Sequence, residues 1–173
     1  MAPNHFELLG LQPHFAVDAA MLEQRYCSAQ AQAHPDRHAA SGAAERLVST
    51  EWTVRLNEAY AVLREPASRA RYLLALHGTD PLASGGHDLP PEFLMAQLGW
   101  REAMERAARA RRSEELERID GQLAIEMRTY ANQLAALIDV DHNFADAAAV
   151  ARRLSFVVKV RADIATLLDE IDA

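Results

Sequence analysis

Cysteine is nearly absent from this chain of 173 residues: Cys27 stands alone. An internal disulfide is thereby excluded, as is a cysteine cluster able to hold a metal. Aromatics make up 6% of the residues and glycine occurs 7 times, too little of either for a sheet-rich, turn-rich fold. No stretch approaches the roughly 20 apolar residues that span a bilayer. The opening "MAPNHFELLG" has neither the basic start nor the apolar core of a signal peptide, so a soluble, cytoplasmic protein is expected. Basic charge is also in deficit, with 18 Lys+Arg against 25 Asp+Glu and a net charge of −7, the reverse of a nucleic-acid-binding footprint. A phosphate loop, a second carboxylate cluster and an activated nucleophile are all missing, which leaves little for an enzyme to work with.

What is abundant is helix-forming. Half of the chain is hydrophobic, and alanine, leucine, glutamate and arginine dominate. The charge is uneven. Residues 1–76 hold 7 Lys+Arg against 8 Asp+Glu, whereas residues 77–173 hold 11 against 17. In the front half, "HFELLG" predicts one turn from His5 closed by Gly10. Asp18 is an N-cap candidate with Val17 and Leu22 placed to staple across it. Leu22, Tyr26, Ala29 and Ala33 then recur at helical spacing until Pro35 stops the helix. A second long helix is predicted from about Ala43 to Leu63, with Val48, Trp52, Leu56, Ala59 and Leu63 on its inner face. Two helices of this length joined by "RHAASG" should form an antiparallel hairpin. Pro66 breaks the chain again, and "ASRARYLLAL" predicts a shorter helix that stops at Gly78.

Residues 77–91, "HGTDPLASGGHDLPP", carry the turn signals of a linker. Beyond it, "EFLMAQLGWREAMERAARARR" reads as one helix. Ser113 is positioned to cap a second, with Leu116, Ile119, Leu123, Met127, Tyr130, Leu134 and Leu137 in its seam. A third, with Asp146 as its cap, carries Val150, Leu154, Val157, Ile164, Leu168 and Ile171. The expected fold is all-α: a helical hairpin with short flanking helices in residues 1–76, a linker at 77–91, and an antiparallel three-helix bundle in 92–173.

The break "HPD" at His34–Pro35–Asp36 is the sharpest local feature. Alone it reads more readily as a loop in which Asp36 caps the next turn and His34 is solvated. Its setting adds weight: an amphipathic helix precedes it, and "LNEAYAVLREPASRARY" follows at residues 56–72. Together these resemble a J domain, the co-chaperone module that stimulates ATP hydrolysis by DnaK-type chaperones. The resemblance implies chaperone binding through His34, Pro35 and Asp36, with Arg25 and Arg37 beside them. Asp36 would present an ionised acceptor to an arginine of the partner. One departure stands out. The helix before the motif is usually basic in J domains, yet here it holds only Arg25, with Gln30 and Gln32 where charge would help, so Coulombic steering should be weak.

The back half resembles the HscB family, J-domain co-chaperones of iron–sulfur cluster assembly, at "ARYLLALHGTD" (70–80), "FLMAQLGWRE" (93–102) and "RRLSFVVKVR" (152–161). That resemblance implies a bundle that binds an IscU-type cluster scaffold protein and delivers it to an HscA-like chaperone. The scaffold-binding positions it implies are Leu94, Met95, Leu98, Glu102 and Phe156. Helix geometry bears on the same residues. Phe93, Trp100, Met104 and Ala107 point within roughly 40° of one direction, while Leu94, Met95, Leu98 and Glu102 lie roughly 100–200° from it. A bundle helix needs one apolar stripe, so the second is either buried in its turn or left for a partner. Gly99 and Arg106 depart from the family, in which both positions are commonly acidic.

Neither a cofactor nor a metal is expected. His34 and His38 have a zinc-like i,i+4 spacing, but Pro35 forbids the helix that spacing requires. Cys27 reads as a partly exposed, inert thiol, and the arginines of "RAARARRSEE" as a solvated face. Two alternatives remain open: a J protein serving other clients, and a metal or acid–base site built on His34 and Asp36.

Overall fold

The computed structural model describes residues 3–33, 43–81 and 89–172, and all regular structure among them is helical. The helices are α1 (His5–Leu8), α2 (Ala19–Ala33), α3 (Ala43–Arg64), α4 (Pro66–Leu76), α5 (Pro91–Arg109), α6 (Ser113–Ala135) and α7 (Phe144–Asp172). A π-helical turn, Ala136–Val140, extends α6. Backbone contacts divide the chain into two compact units, Met1–Leu73 and Leu74–Ala173.

In the first unit, Asn4 and Glu7 cap α1 reciprocally, side chain to backbone in both directions. The chain leaves that helix through Gly10 at φ +63°, a left-handed conformation that glycine adopts freely. Asp18 accepts the Met21 N–H at 2.9 Å, fulfilling its expected capping role. Helices α2 and α3 run antiparallel. Tyr26 donates its hydroxyl to Asn57 at 2.9 Å, Tyr60 bonds to Glu23, and the two tyrosine rings stack 4.2 Å apart. Phe6, Phe15, Leu22, Leu56, Ala59, Leu63 and Leu73 form the buried centre. Arg69 is buried with them. Its guanidinium donates to the Leu63 carbonyl at 2.7 Å and lies over the Phe15 ring at 5.0 Å. A cation thus meets the carbonyl-rich end of α3, where the helix dipole favours it.

One expectation about α3 fails. The helical period predicts Val48 and Trp52 on its inner face, yet they are 64% and 38% exposed, while Ser49 is buried. Periodicity fixes direction and not what lies opposite. The antiparallel register sets Trp52 beside Ala31 of α2, whose methyl is a small apolar cover, and Val48 beyond Ala33, the last described residue of that helix.

In the second unit α5, α6 and α7 pack as the expected three-helix bundle, with a turn at 110–112 joining the first pair. Phe93, Met104 and Ala107 face Leu116, Ile119, Leu123, Leu134, Val150, Leu154, Val157 and Ile164 in the core. Arg161 of α7 grips Asp120 of α6 with both prongs, at 2.7 and 2.9 Å. That fork geometry ties the two helices in register and raises the Arg161 pKa.

Three details of the bundle differ from the sequence reading. Ser113 begins α6 without a side-chain cap bond. Asn143 caps α7 in place of Asp146: its carbonyl oxygen accepts the Asp146 N–H at 3.2 Å, and its amide donates to the Asp146 carboxylate at 2.7 Å. The seam of α6 ends on Ile138, 3% exposed, while Leu137 is only half-buried. The π turn is the reason for the last. Asp141 N–H reaches back five residues to the Ala136 carbonyl at 2.9 Å, and the wider turn rotates Ile138 inward.

Candidate functional site

Two sets of residues were singled out by the sequence. Of the first, His34, Pro35, Asp36 and Arg37 lie outside the described residues, as does His38. Arg25 is described. It is exposed on α2, with its guanidinium close to the Gly10 turn. Glu23 and Arg25 are the only charged residues in α2, so that helix has no basic face. Cys27 is exposed and its thiol points at the Glu23 carboxylate, 3.6 Å away. No group of three or more His, Cys, Asp or Glu positioned to hold a metal exists among the described residues. Nor is any helix among them long and apolar enough to cross a membrane.

The second set lies on α5 and α7. Pro91 opens α5 at a position where its missing N–H costs nothing. Phe93, Met104 and Ala107 then turn inward, and the wheel leaves a second apolar stripe outside. Leu94, Met95 and Leu98 are 44%, 68% and 54% exposed. Between the two possible fates of that stripe, burial or exposure, the fold selects exposure. Glu102 is exposed on the same outer face.

Phe156 on α7 is half-buried and stands edge-on to Phe93, ring centroids 5.8 Å apart. It also lies 6.3 Å from Trp100 at a shallow interplanar angle of 26°. Phe93 makes a second edge contact, 6.4 Å to Tyr130, whose hydroxyl pKa is raised first by burial and then by Glu126. The Phe156 ring is therefore braced from behind by a packed aromatic cluster and keeps one face free. Such rigidity matters at a binding surface, because an anchor held in place loses little entropy when it is covered.

The geometry brings Leu94, Leu98 and Phe156 together in one groove between α5 and α7, with a volume of about 690 Å³. Met95 and Glu102 do not line it. They form the crest of α5 beside it, near Gly99 and Arg106, which are also exposed. The groove runs on past the residues picked from sequence. Met104, Ala108, Val160 and Leu167 continue its apolar lining, and Arg101, Glu105, Lys159 and Asp163 supply charges. The signal for these was present as i+3 and i+4 steps continuing from Leu98 and Phe156. What sequence could not give was which helix faces which. The arrangement has no reactive constellation. It offers an open apolar cleft with a polar margin, suited to holding a protein surface.

Residues 89–165 match the family model described as the HSCB C-terminal oligomerisation domain. The whole chain is 43% identical over 172 residues to the co-chaperone protein HscB homolog of Ralstonia nicotianae, covering 98% of this chain and 96% of that protein. It is 41% identical over 169 residues to the homolog of Paraburkholderia xenovorans, with the same coverage of 98% and 96%. Among solved structures, the chaperone HscB from Vibrio cholerae superimposes with a TM-score of 0.83 at 29% identity, covering 98% of this chain and 99% of that one. Human co-chaperone protein HscB shares the fold, with a TM-score of 0.88 at 23% identity over 99% of this chain and 84% of that one. The all-α architecture, a J domain followed by a helical bundle, is common to them. On full-length identity of this order, the chain belongs to the HscB family of co-chaperones.

Proposed function

We propose that the chain is a non-enzymatic adaptor of iron–sulfur cluster assembly. Its J domain stimulates the ATPase of a DnaK-type, HscA-like chaperone, and its bundle delivers an IscU-type scaffold protein to that chaperone. ATP is hydrolysed by the partner, and the cluster is cargo of the scaffold. Membership of the HscB family supports the co-chaperone role. The observation that carries the scaffold reading is the outward stripe of Leu94, Met95 and Leu98 beside the braced Phe156 ring.

In this reading His34, Pro35 and Asp36 form the chaperone contact, with Arg25 and Arg37 as its flanking cations. Proline restricts the backbone there, and the Asp36 carboxylate takes a charge-assisted bond from an arginine of the chaperone. On the bundle, Leu94, Leu98 and Phe156 bury apolar surface of the scaffold in the groove. Met95 and Glu102 engage it from the crest. A few desolvated anchors of this kind carry most of an interface's free energy, and the rim contributes orientation. Holding both partners on one chain raises the concentration of scaffold near the chaperone without any new contact.

Replacing His34 with glutamine tests the first half. The variant should melt like the wild type and fail to raise ATP turnover by the cognate chaperone; unaltered stimulation would refute the J-domain mechanism. A second reading, a J protein for other clients, draws on the exposed Arg106 and on Gly99, which stand where acidic residues are common in the family. Calorimetry with the IscU-type scaffold separates the two, since only the first requires binding.

A further inference from the structure

The geometry points to an apolar docking patch for the chaperone on α3, which takes over the work that a basic α2 would otherwise do. The inference rests on the J-domain reading above and names the contact that would supply its affinity. Two observations lead to it. The first is the charge deficit: Glu23 and Arg25 are the only charged residues of α2, and they cancel. A neutral helix cannot steer or hold an oppositely charged surface. The second is an inverted pattern on the neighbouring helix. Along residues 47–54 the large apolar side chains face solvent, with Leu47 60%, Val48 64%, Trp52 38% and Val54 54% exposed, while the hydroxyl-bearing Ser49 is buried. Glu51 is the only charged residue in that stretch.

Apolar residues scattered singly on a surface need no explanation, but a run of them with a tryptophan does. Val48 and Trp52 are one turn apart and share a flank; Leu47 and Val54, two turns apart, lie on the outer face. Arg55 extends its guanidinium over the Trp52 ring at 5.6 Å, and that arginine also donates to the Pro3 carbonyl at 3.2 Å. The indole is thereby held in one orientation while part of its surface stays in solvent. Tryptophan held in this way is the residue type most enriched at interface hot spots.

The position argues for the chaperone as occupant. The Tyr26–Asn57 and Glu23–Tyr60 bonds set the hairpin register. That register sets Trp52 beside Ala31, in the last turn of α2, the end from which the chain continues into His34, Pro35 and Asp36. Leu47 lies only four residues, about 6 Å of helix rise, from the start of α3. A partner that engages the His34–Asp36 stretch therefore reaches the patch without a second, separate surface.

The test measures the concentration of full-length protein giving half-maximal stimulation of the cognate chaperone's ATPase. Wild type is compared with Val48→Ser/Trp52→Ser, and with His34→Gln as a reference for loss of the J-domain mechanism. The double variant should need roughly tenfold more protein or beyond. The ratio between double variant and wild type should change little between about 0.05 and 0.5 M salt, since apolar contacts are not screened. Leu47→Ser/Val54→Ser, which spares the more buried Trp52, should shift the curve in the same direction and secures the result if the first pair lowers stability. Wild-type behaviour of both folded pairs, with His34→Gln inactive, would overturn the patch and leave the J-domain reading standing. A ratio that collapses to one at high salt would overturn it in favour of charge. So would sedimentation showing a wild-type dimer that the substitutions dissociate, because the occupant would then be a second copy. Full activity of His34→Gln would overturn the reading underneath and the patch with it.

Discussion

Consider replacing Leu94, Met95 and Leu98 together with alanine. In the folded chain these side chains are 44%, 68% and 54% exposed, so about half of their surface is already in water. Fully burying a leucine or methionine contributes roughly 1.5–3 kcal/mol, so the half that is buried within the bundle is worth about 1 kcal/mol per residue. The compactness of the unfolded chain and alanine's higher helix propensity both reduce that cost. The triple variant should lose about 2 kcal/mol in all, or roughly 10 °C of melting temperature. Had the three been core, each truncation would cost about 2–5 kcal/mol, and together they would consume the stability of a typical domain. The same bookkeeping applied to the exposed halves gives the binding effect. Covering them with a partner is worth about 1 kcal/mol each, so their loss should weaken a scaffold complex at least about a hundredfold. Circular dichroism melts and titration calorimetry with the IscU-type scaffold, on one variant, check both figures. A variant that fails to fold would place the stripe in the core, and a folded variant that binds undiminished would move the scaffold site elsewhere.

Gly99 and Gly121 sit in exposed helix where an added Cβ would meet nothing within 4 Å. Changing each to alanine should therefore raise stability by about 0.5–1 kcal/mol, read as a higher urea midpoint, and a lower midpoint would contradict the open space around them. Burial lowers the pKa of His5, whose ring stacks on Tyr72 at 4.2 Å. The unfolded chain then binds the proton more readily than the folded one, so His5 favours folding above about pH 6.5 and that contribution fades as the pH drops below it. A melting series from pH 7.5 to 5.5 should fall more steeply for the wild type than for His5→Gln, and equal slopes would remove His5 from the explanation. Arg69→Met keeps the apolar contact with Phe15 but strips the Leu63 carbonyl of its donor. It should cost about 2 kcal/mol in denaturant unfolding, and a neutral result would mean that water replaces the guanidinium.

Much of this molecule is legible in its sequence because helices announce themselves locally. Pro66, Pro91, Gly10 and Gly78 punctuate the chain where proline and glycine chemistry says they should. The period of Phe93, Met104 and Ala107 separates a core face of α5 from a surplus apolar one. What could not be read depends on partners in space. Val48 and Trp52 satisfy the helical period and remain exposed, because burial requires an opposing surface: Trp52 meets only the small Ala31, and Val48 lies beyond Ala33, the last described residue of α2. The π turn that brings Ile138 inward holds neither glycine nor proline, so no residue of Ala136–Val140 announces it. Asn143 and Asp146 are both good caps, and only the backbone decides which begins the helix. The groove itself needed the docking of α5 beside α7. Leu94, Leu98 and Phe156 could be named one by one, but not the cleft they share with Val160 and Leu167.

The most direct test of the adaptor account is ATP turnover by the cognate HscA-like chaperone, titrated with the IscU-type scaffold in the presence and absence of this protein. The account predicts that protein and scaffold together stimulate turnover well beyond the product of their separate effects. The Leu94/Met95/Leu98 alanine variant should keep its own stimulation and lose that excess, and His34→Gln should lose both. Turnover with scaffold and protein no greater than that product would contradict the claim that one chain brings the two partners together.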